Sequence, residues 1–246
     1  MDDLSGKLPD VSAQVSAPRD AARLKDLEVI ESAFARGRRR RVDSTLHRET
    51  LTRARAMMGS EQLKAFDVTQ EPASLRAEYG DTPFGRACLA ARRLIEVGVR
   101  CVEVTLGGWD SHINNHEIHA GLAAELDPAF SALLKDLASR DLLDRTVVLC
   151  GGEFGRTPTV NVAGGRDHWT NGFSLALAGG GLRGGLAIGK TDPKGVEDPT
   201  RPTAVEDVHA TVLKTLGLDP AKENLAPATG RPVKLSAGRP IAELIV

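Results

Sequence analysis

Gly107-Gly108-Trp109-Asp110-Ser111-His112, Gly152-Glu153-Phe154-Gly155-Arg156-Thr157-Pro158 and Gly165-Arg166-Asp167-His168-Trp169 punctuate one stretch, residues 107–169. What lies between them decides the fold. Before the first cluster, Val99, Cys101, Val102, Val104 and Leu106 read as a strand over 99–106. After it, Ile118, Leu122, Leu126, Phe130, Leu133 and Leu137 recur at helical spacing from about Asn115, so one face of a long helix is apolar. Thr146-Val147-Val148-Leu149-Cys150 then reads as a short buried strand of the kind found inside parallel sheets. A strand–helix–strand crossover brings the ends of both strands to one sheet edge, where open α/β sheets bind ligands. A third strand, about 173–178, follows without a crossover helix and is expected antiparallel, which returns Asp167 and His168 to that edge. The fold class is therefore α/β, with a mostly parallel sheet.

Outward from this stretch, Thr82-Pro83 opens a helix running to about Val97 and stopped by Gly98. Residues 67–82 read as a loop. Leu24, Leu27, Ile30 and Phe34 mark a helix over about 21–34, and a second runs from about Leu46 to Met58 before Gly59. Residues 1–18 read as an extended arm. The expected division is a helical segment with its arm over 1–60 and an α/β domain over 61–246. Toward the C-terminus, Leu186-Ala187-Ile188 is expected as a strand in a Gly-rich hairpin, residues 192–204 as a Pro-containing loop, and Val205–Leu216 as a helix before Gly217; Pro232–Val246 packs the tail.

Composition narrows the function classes. An apolar share of 41% suits a chain with a core, and a net charge of −1 with 4% aromatics argues against broad nucleic-acid binding. No apolar run reaches the ~20 residues of a membrane span. Arg38-Arg39-Arg40-Arg41 is followed by polar Val42-Asp43-Ser44-Thr45, so it is no export signal as it stands and reads as a solvated basic face. Cys88, Cys101 and Cys150 form no C-x-x-C pair and read as buried hydrophobes.

Asp110, His112, Glu153, Asp167 and His168 are the oxygen and imidazole donors of this edge, and they suit a divalent cation: zinc, manganese, or calcium or magnesium. Arg156 and Arg166 flank them. A guanidinium there either clamps a phosphate, sulfate or carboxylate or pairs with Glu153 or Asp167. Arg156 and Glu153 are the candidate catalytic residues. His116 and His119 are auxiliary, His209 reads as a core-edge histidine, and His47 has no evident partner. Gly184-Gly185-Leu186-Ala187-Ile188-Gly189-Lys190-Thr191 spells a P-loop, yet Asp192-Pro193-Lys194-Gly195 follows where a helix is required. Ser111, Thr157 and Ser174 lack a nucleophile-elbow context.

Taken together with Ala65-Phe66-Asp67-Val68, Tyr79-Gly80-Asp81-Thr82-Pro83-Phe84-Gly85 and Ala91-Arg92-Arg93-Leu94, the three clusters resemble the bacterial domain of unknown function 1501 family over roughly residues 60–245. Its members look sulfatase-like, within the alkaline phosphatase superfamily. The resemblance implies a three-layer α/β/α sandwich and a metal-dependent hydrolase of phosphate or sulfate esters, with a small-molecule or glycan ester as substrate. Asp110 and His112 resemble the superfamily's Asp and His after a strand, Gly152-Glu153-Phe154-Gly155 stands where Ala-Asp-His-Gly is expected, and His168 resembles the later histidine. Asp207–Gly217 is similar to the superfamily's late helix. Phe154 replaces a coordinating His, and the chain resembles a C-terminal portion, without the N-terminal strand that carries the nucleophile. Full-length members are expected to be exported. The alternative is a non-catalytic descendant that binds an anionic glycan or a protein partner at the same edge.

Overall fold

The structure, a computed structural model, describes residues 11–38, 46–192, 194–195, 199–225 and 232–246. Arg39, Arg40, Arg41, the first part of the arm and parts of the 192–204 loop lie outside the described residues. The chain divides into two compact units, Met1–Val104 and Thr105–Val246.

In the first unit, α1 (Ala17–Ala35) and α2 (His47–Met58) bury no residue fully and are tied by ion pairs. Arg55 meets Asp20 at 3.0 Å and Arg48 meets Glu31 at 3.0 Å, while His47, which had no evident partner, stands 3.3 Å from Glu31. Arg38 donates to the Phe34 carbonyl. The expected loop 67–82 contains a 3-10 turn, Val68–Gln70, and α3 (Ala73–Tyr79). Neither has an apolar stripe long enough to show as periodicity; Asp67 caps the first through Thr69, and Pro72 precedes the second.

Helix α4 (Pro83–Glu96) starts as expected, with the Thr82 hydroxyl accepting from the Gly85 amide at 3.0 Å. Its Phe84, Cys88, Leu89, Ala90, Ala91 and Leu94 build this unit's core with Ala65, Val68 and Tyr79. Arg92 is buried in the same layer, its charge met by Glu71 at 2.7 Å and by Glu96. Gly85 is required where α3 ends against α4, because a Cβ would lie 2.2 Å from the Tyr79 carbonyl oxygen.

In the second unit, α5 (Asn115–Ser139) is followed by β1 (Val147–Cys150), β2 (Gly155–Arg156), β3 (His168–Trp169), β4 (Ala176–Gly179), α6 (Val205–Thr215), β5 (Glu223–Leu225) and β6 (Pro232–Lys234). The molecule is mixed α/β, but its sheets depart from the expected parallel one. The described strands form three two-stranded sheets, β1–β4, β2–β3 and β5–β6, all antiparallel. The antiparallel expectation for the strand after residue 173 holds: Val147 pairs with Gly179 and Cys150 with Ala176.

Residues 99–106 form no ladder among the described residues. They alternate, with Val102, Val104 and Leu106 half-buried and Cys101, Glu103 and Thr105 exposed, so the run is extended and one-sided rather than a sheet interior. A short apolar run fixes conformation but not the direction of a partner. Leu149 within β1 is 48% exposed, which a central parallel strand would not permit. Of the cysteines only Cys88 is buried; Cys101 is exposed and Cys150 half-buried.

The stripe of α5 is half-buried along its length, with full burial at Ala129, Ala132 and Leu137. Residues 186–188 form no strand; glycines flank them, and the local bridge falls later, between Lys190 and Thr200. No helix follows the P-loop-like letters among the described residues, as expected. Helix α6 buries Val208 and Ala210 and leaves His209 on its exposed face rather than at a core edge. The tail is sewn to it: Ser236 Oγ donates to the Glu206 carbonyl, and Asp207 Oδ1 and Thr211 Oγ1 accept from the Arg239 and Ile241 amides. No described helix is long and apolar enough to cross a membrane.

Candidate metal centre

The first cluster alternates. In Trp109-Asp110-Ser111-His112, Ser111 is 4% exposed while Asp110 and His112 face outward. Their exposure puts these two on the outer side, and the Ser111 amide turns back to donate to the Trp109 carbonyl at 3.0 Å. The inner side is pinned to the first turns of α5. Asn115 Nδ2 donates to Ser111 Oγ at 2.8 Å, and His119 Nε2 lies 3.0 Å from Ser111 Oγ and 3.0 Å from the Trp109 carbonyl oxygen. Asn115 and His119 are one helical turn apart and so reach the same loop. The Trp109 ring meets the His119 ring edge-on, with centroids 5.1 Å apart. The Ser111 hydroxyl is thus buried and occupied, in keeping with its lack of nucleophile context.

The other two clusters pair directly. In the β2–β3 ladder Arg156 stands opposite His168 and Gly155 opposite Trp169. The Thr157 amide donates to the Asp167 carbonyl at 2.8 Å, and the Asp167 amide donates to Thr157 Oγ1 at 3.1 Å. Arg166 donates to the carbonyls of Thr157 at 2.6 Å and Pro158 at 2.7 Å, so it braces the hairpin rather than pairing with Asp167. The hairpin is laid against the first cluster through the Ile113–Gly164 bridge and the Arg166 amide, which donates to the Ser111 carbonyl at 3.2 Å. Gly165 permits this approach: a Cβ there would lie 1.9 Å from the His112 carbonyl carbon. The three clusters converge as expected, but through antiparallel pairing and not through a parallel crossover.

Asn161, which drew no attention in the sequence, links the pieces. Its Oδ1 accepts from the Ala163 and Gly165 amides, and its Nδ2 donates to the His112 carbonyl at 3.0 Å and to Asp167 Oδ1 at 3.4 Å. An Asn three residues before a Gly-Gly turn is the available signal, since its side chain can close such a turn.

At the centre, Asp110 Oδ1 lies 3.0 Å from His112 Nε2 and 3.0 Å from His168 Nε2. One potential ligand atom from each of Asp110, His112 and His168 lies within 4.8 Å of the other two. Ligands of a four-coordinate zinc at bond lengths of ~2.0–2.1 Å stand about 3.4 Å apart, so small side-chain rotations bring this set onto one ion. Two imidazoles and a carboxylate with an open outer face fit zinc or manganese better than calcium or magnesium, which take mostly oxygen.

Asp167 and Glu153 sit one step back from this trio. Asp167 Oδ1 lies 2.9 Å from His112 Nδ1, which leaves Nε2 of the same ring directed at Asp110. A carboxylate behind a ligating histidine fixes its tautomer and orientation. Glu153 is paired with Arg156, whose other terminal nitrogen holds Asp110. Of the two readings open for Arg156, the ion pair to Glu153 is present. Phe154 packs its ring against His168, with centroids 4.8 Å apart.

The charges explain the titration behaviour. Hydrogen bonding from His168, then Arg156, holds the Asp110 carboxyl below its usual range. The hydrogen bond from His112 does the same for Asp167. His112 is raised above its ordinary value, first by its bond to Asp167 and then by the nearby negative charge of Asp110. A carboxylate at each nitrogen favours protonation of the ring, and an ion would take the place of its Nε2 proton and leave the imidazole neutral.

No curated protein and no solved structure matches this chain. One family does, described as "Protein of unknown function (DUF1501)", over residues 7–245. The match reaches into the N-terminal helical part, well before the residue near 60 where the resemblance was expected to begin. The chain belongs to this family of unknown function.

Proposed function

We propose that this chain is a metal-dependent hydrolase of the sulfatase-like, alkaline phosphatase type, acting on phosphate or sulfate esters. The observation that carries the reading is the Asp110, His112 and His168 trio on one open face with the Arg156 guanidinium against it. Kinship with the superfamily's α/β/α sandwich is part of the proposal. It is supported by the order along the chain: Asp110 and His112, then α5, then β1, then His168.

In this reading Asp110, His112 and His168 hold a divalent ion, which supplies Lewis acidity toward an ester oxygen and acidifies water. Asp167 keeps His112 in the tautomer whose Nε2 faces the ion. Arg156 binds the charged oxygens of the ester, and Glu153 orients its guanidinium. Hydrolysis breaks the bond between phosphorus or sulfur and the ester oxygen; the oxygen of water bonds to the phosphorus or sulfur in its place, and a proton from that water leaves on the alcohol.

The test is a panel of phosphate and sulfate esters offered to the zinc- or manganese-loaded chain and to Asp110→Ala. Turnover lost in the variant, with its circular dichroism unchanged, supports the reading. No turnover of any ester by the loaded protein contradicts it.

Phe154 favours a second reading. A phenyl ring on His168, where a further ligand would be needed for a two-ion site, suits a non-catalytic module that binds an anionic glycan or a protein partner. That reading predicts binding of a sulfated or phosphorylated ligand without product; a single-turnover product excludes it.

A further inference from the structure

Arg156 is committed inside the molecule. One terminal nitrogen is hydrogen-bonded to Asp110 and the other to Glu153, and its side chain is 11% exposed, against 62% for Asp110 and 55% for Glu153. A guanidinium binds an oxyanion by presenting two parallel N–H donors. Here both terminal nitrogens hold a carboxylate, and each carboxylate repels an incoming anion. As it stands, Arg156 is a closed clamp.

The atom that closes it is also the atom an ion needs. Asp110 Oδ1 receives Arg156 together with Nε2 of His112 and Nε2 of His168, each imidazole nitrogen at 3.0 Å. With neutral imidazoles, the carboxylates of Asp110, Glu153 and Asp167 outnumber the Arg156 guanidinium by two negative charges, which a divalent cation balances.

We infer that Arg156 is a resident counter-charge of the ion-free site and that metal binding at Asp110 frees one arm of its guanidinium to grip a tetrahedral oxyanion. The inference rests on the metal-site reading above and adds a regulation to it: the anion site is formed only when the metal is present. Cation and anion then raise each other's affinity by the same factor, since linkage between two binding free energies is reciprocal. The metal need not touch the anion for this coupling to hold, because it acts through Asp110. The sequence could not show this, for it left Arg156 as either a clamp or an ion-pair partner, and here one role gates the other.

The test is calorimetric titration of zinc, and separately of inorganic phosphate, into the full chain, Arg156→Gln and the double variant Asp110→Ala/Glu153→Gln. The replaced carboxylates are exposed, and circular dichroism checks that the fold is kept. Zinc-loaded wild type is expected to bind phosphate at least tenfold more tightly than the zinc-free protein. Zinc-free Asp110→Ala/Glu153→Gln, its guanidinium released, is expected to bind phosphate at least tenfold more tightly than zinc-free wild type. Arg156→Gln is expected to bind zinc more tightly than wild type, having lost the competing cation, and to lose the zinc-dependent gain in phosphate affinity. The inference is overturned if the zinc-free double variant binds phosphate no better than zinc-free wild type, or if Arg156→Gln keeps the full gain. Zinc bound by wild type without any gain in phosphate affinity overturns the gate and leaves the metal site standing. Absence of zinc binding by wild type removes the metal site and the gate with it.

Discussion

Trp109-Asp110-Ser111-His112 has two sides that differ in almost every physical respect. Inward, Ser111 is buried and its hydroxyl meets Asn115 and His119, which in turn holds the Trp109 carbonyl. Outward, Asp110 and His112 are exposed, and their side chains meet each other and the ionisable groups Arg156, Asp167 and His168 of the β2–β3 hairpin. One side spends its polar groups on fixing the backbone; the other leaves a surplus of negative charge facing solvent. Folding can account for the inner side, because an unmet polar group there carries a desolvation cost. Exposed ion pairs contribute little to stability, so folding accounts poorly for the outer side. The difference is why the proposed metal site is placed on the outer side.

The substitution expected to do most damage strikes both sides at once. Gly165→Ala places a methyl group into the His112 backbone, which cannot give way as a side chain tip would. A loss of about 3 kcal/mol or more in urea unfolding is expected, with ion binding lost too. A loss under about 1 kcal/mol would mean that the hairpin and the 109–112 segment are not locked together.

Separating the sides is the next step. His119→Ala leaves the Trp109 carbonyl and Ser111 hydroxyl short of a partner and should cost about 2 kcal/mol of stability. His112→Ala in the ion-free protein should leave the unfolding midpoint little changed, as befits an exposed residue. Equal effects in thermal unfolding would erase the distinction between the two sides.

Asp167→Asn tests a finer point. An amide can still meet His112 Nδ1 but lacks the charge that makes the ring a better ligand. Zinc affinity should fall about 10–100-fold, with the unfolding midpoint of the ion-free protein little changed. Unaltered affinity would remove Asp167 from the site.

The smallest effect is in the pH dependence. His112 has its folded pKa raised, so its contribution to ion-free stability is complete below about 6.5 and disappears as pH rises through the higher folded value. Asp110 and Asp167, both lowered, contribute above about 3.9 and cease to as pH falls through their folded values. Zinc affinity has the opposite trend to the His112 term: it should climb with pH until His112 is deprotonated, then level off. Affinity independent of pH between 6 and 8 would exclude His112 as a ligand.

Much of this was legible in the sequence, and the omissions have physical causes. Long elements announced themselves through periodicity and end signals: α4 through Thr82-Pro83, α5 through its apolar stripe, α6 through Gly217. The five proposed donor residues do lie together, yet the parallel crossover that led to this expectation is absent among the described strands. Val99–Leu106 and Thr146–Cys150 could be read as extended, but strand direction depends on a partner that no local run encodes. Which donors reach a common point was also hidden. Asp167 and His168 are adjacent, so backbone alternation sends one behind His112 and the other to the front. His119 read as auxiliary because its partners, Ser111 and the Trp109 carbonyl, belong to the preceding loop. Phe154 was visible as a departure, and its contact with His168 came only with the hairpin.

We propose that the exposed side of this tetrapeptide holds a metal ion. The most direct measurement is metal content by mass spectrometry of the purified, reconstituted chain beside His112→Ala and His168→Ala. About one equivalent of zinc or manganese is expected in the wild type, and it should be lost in both variants. No metal in the wild type, or the same metal in all three proteins, would contradict it.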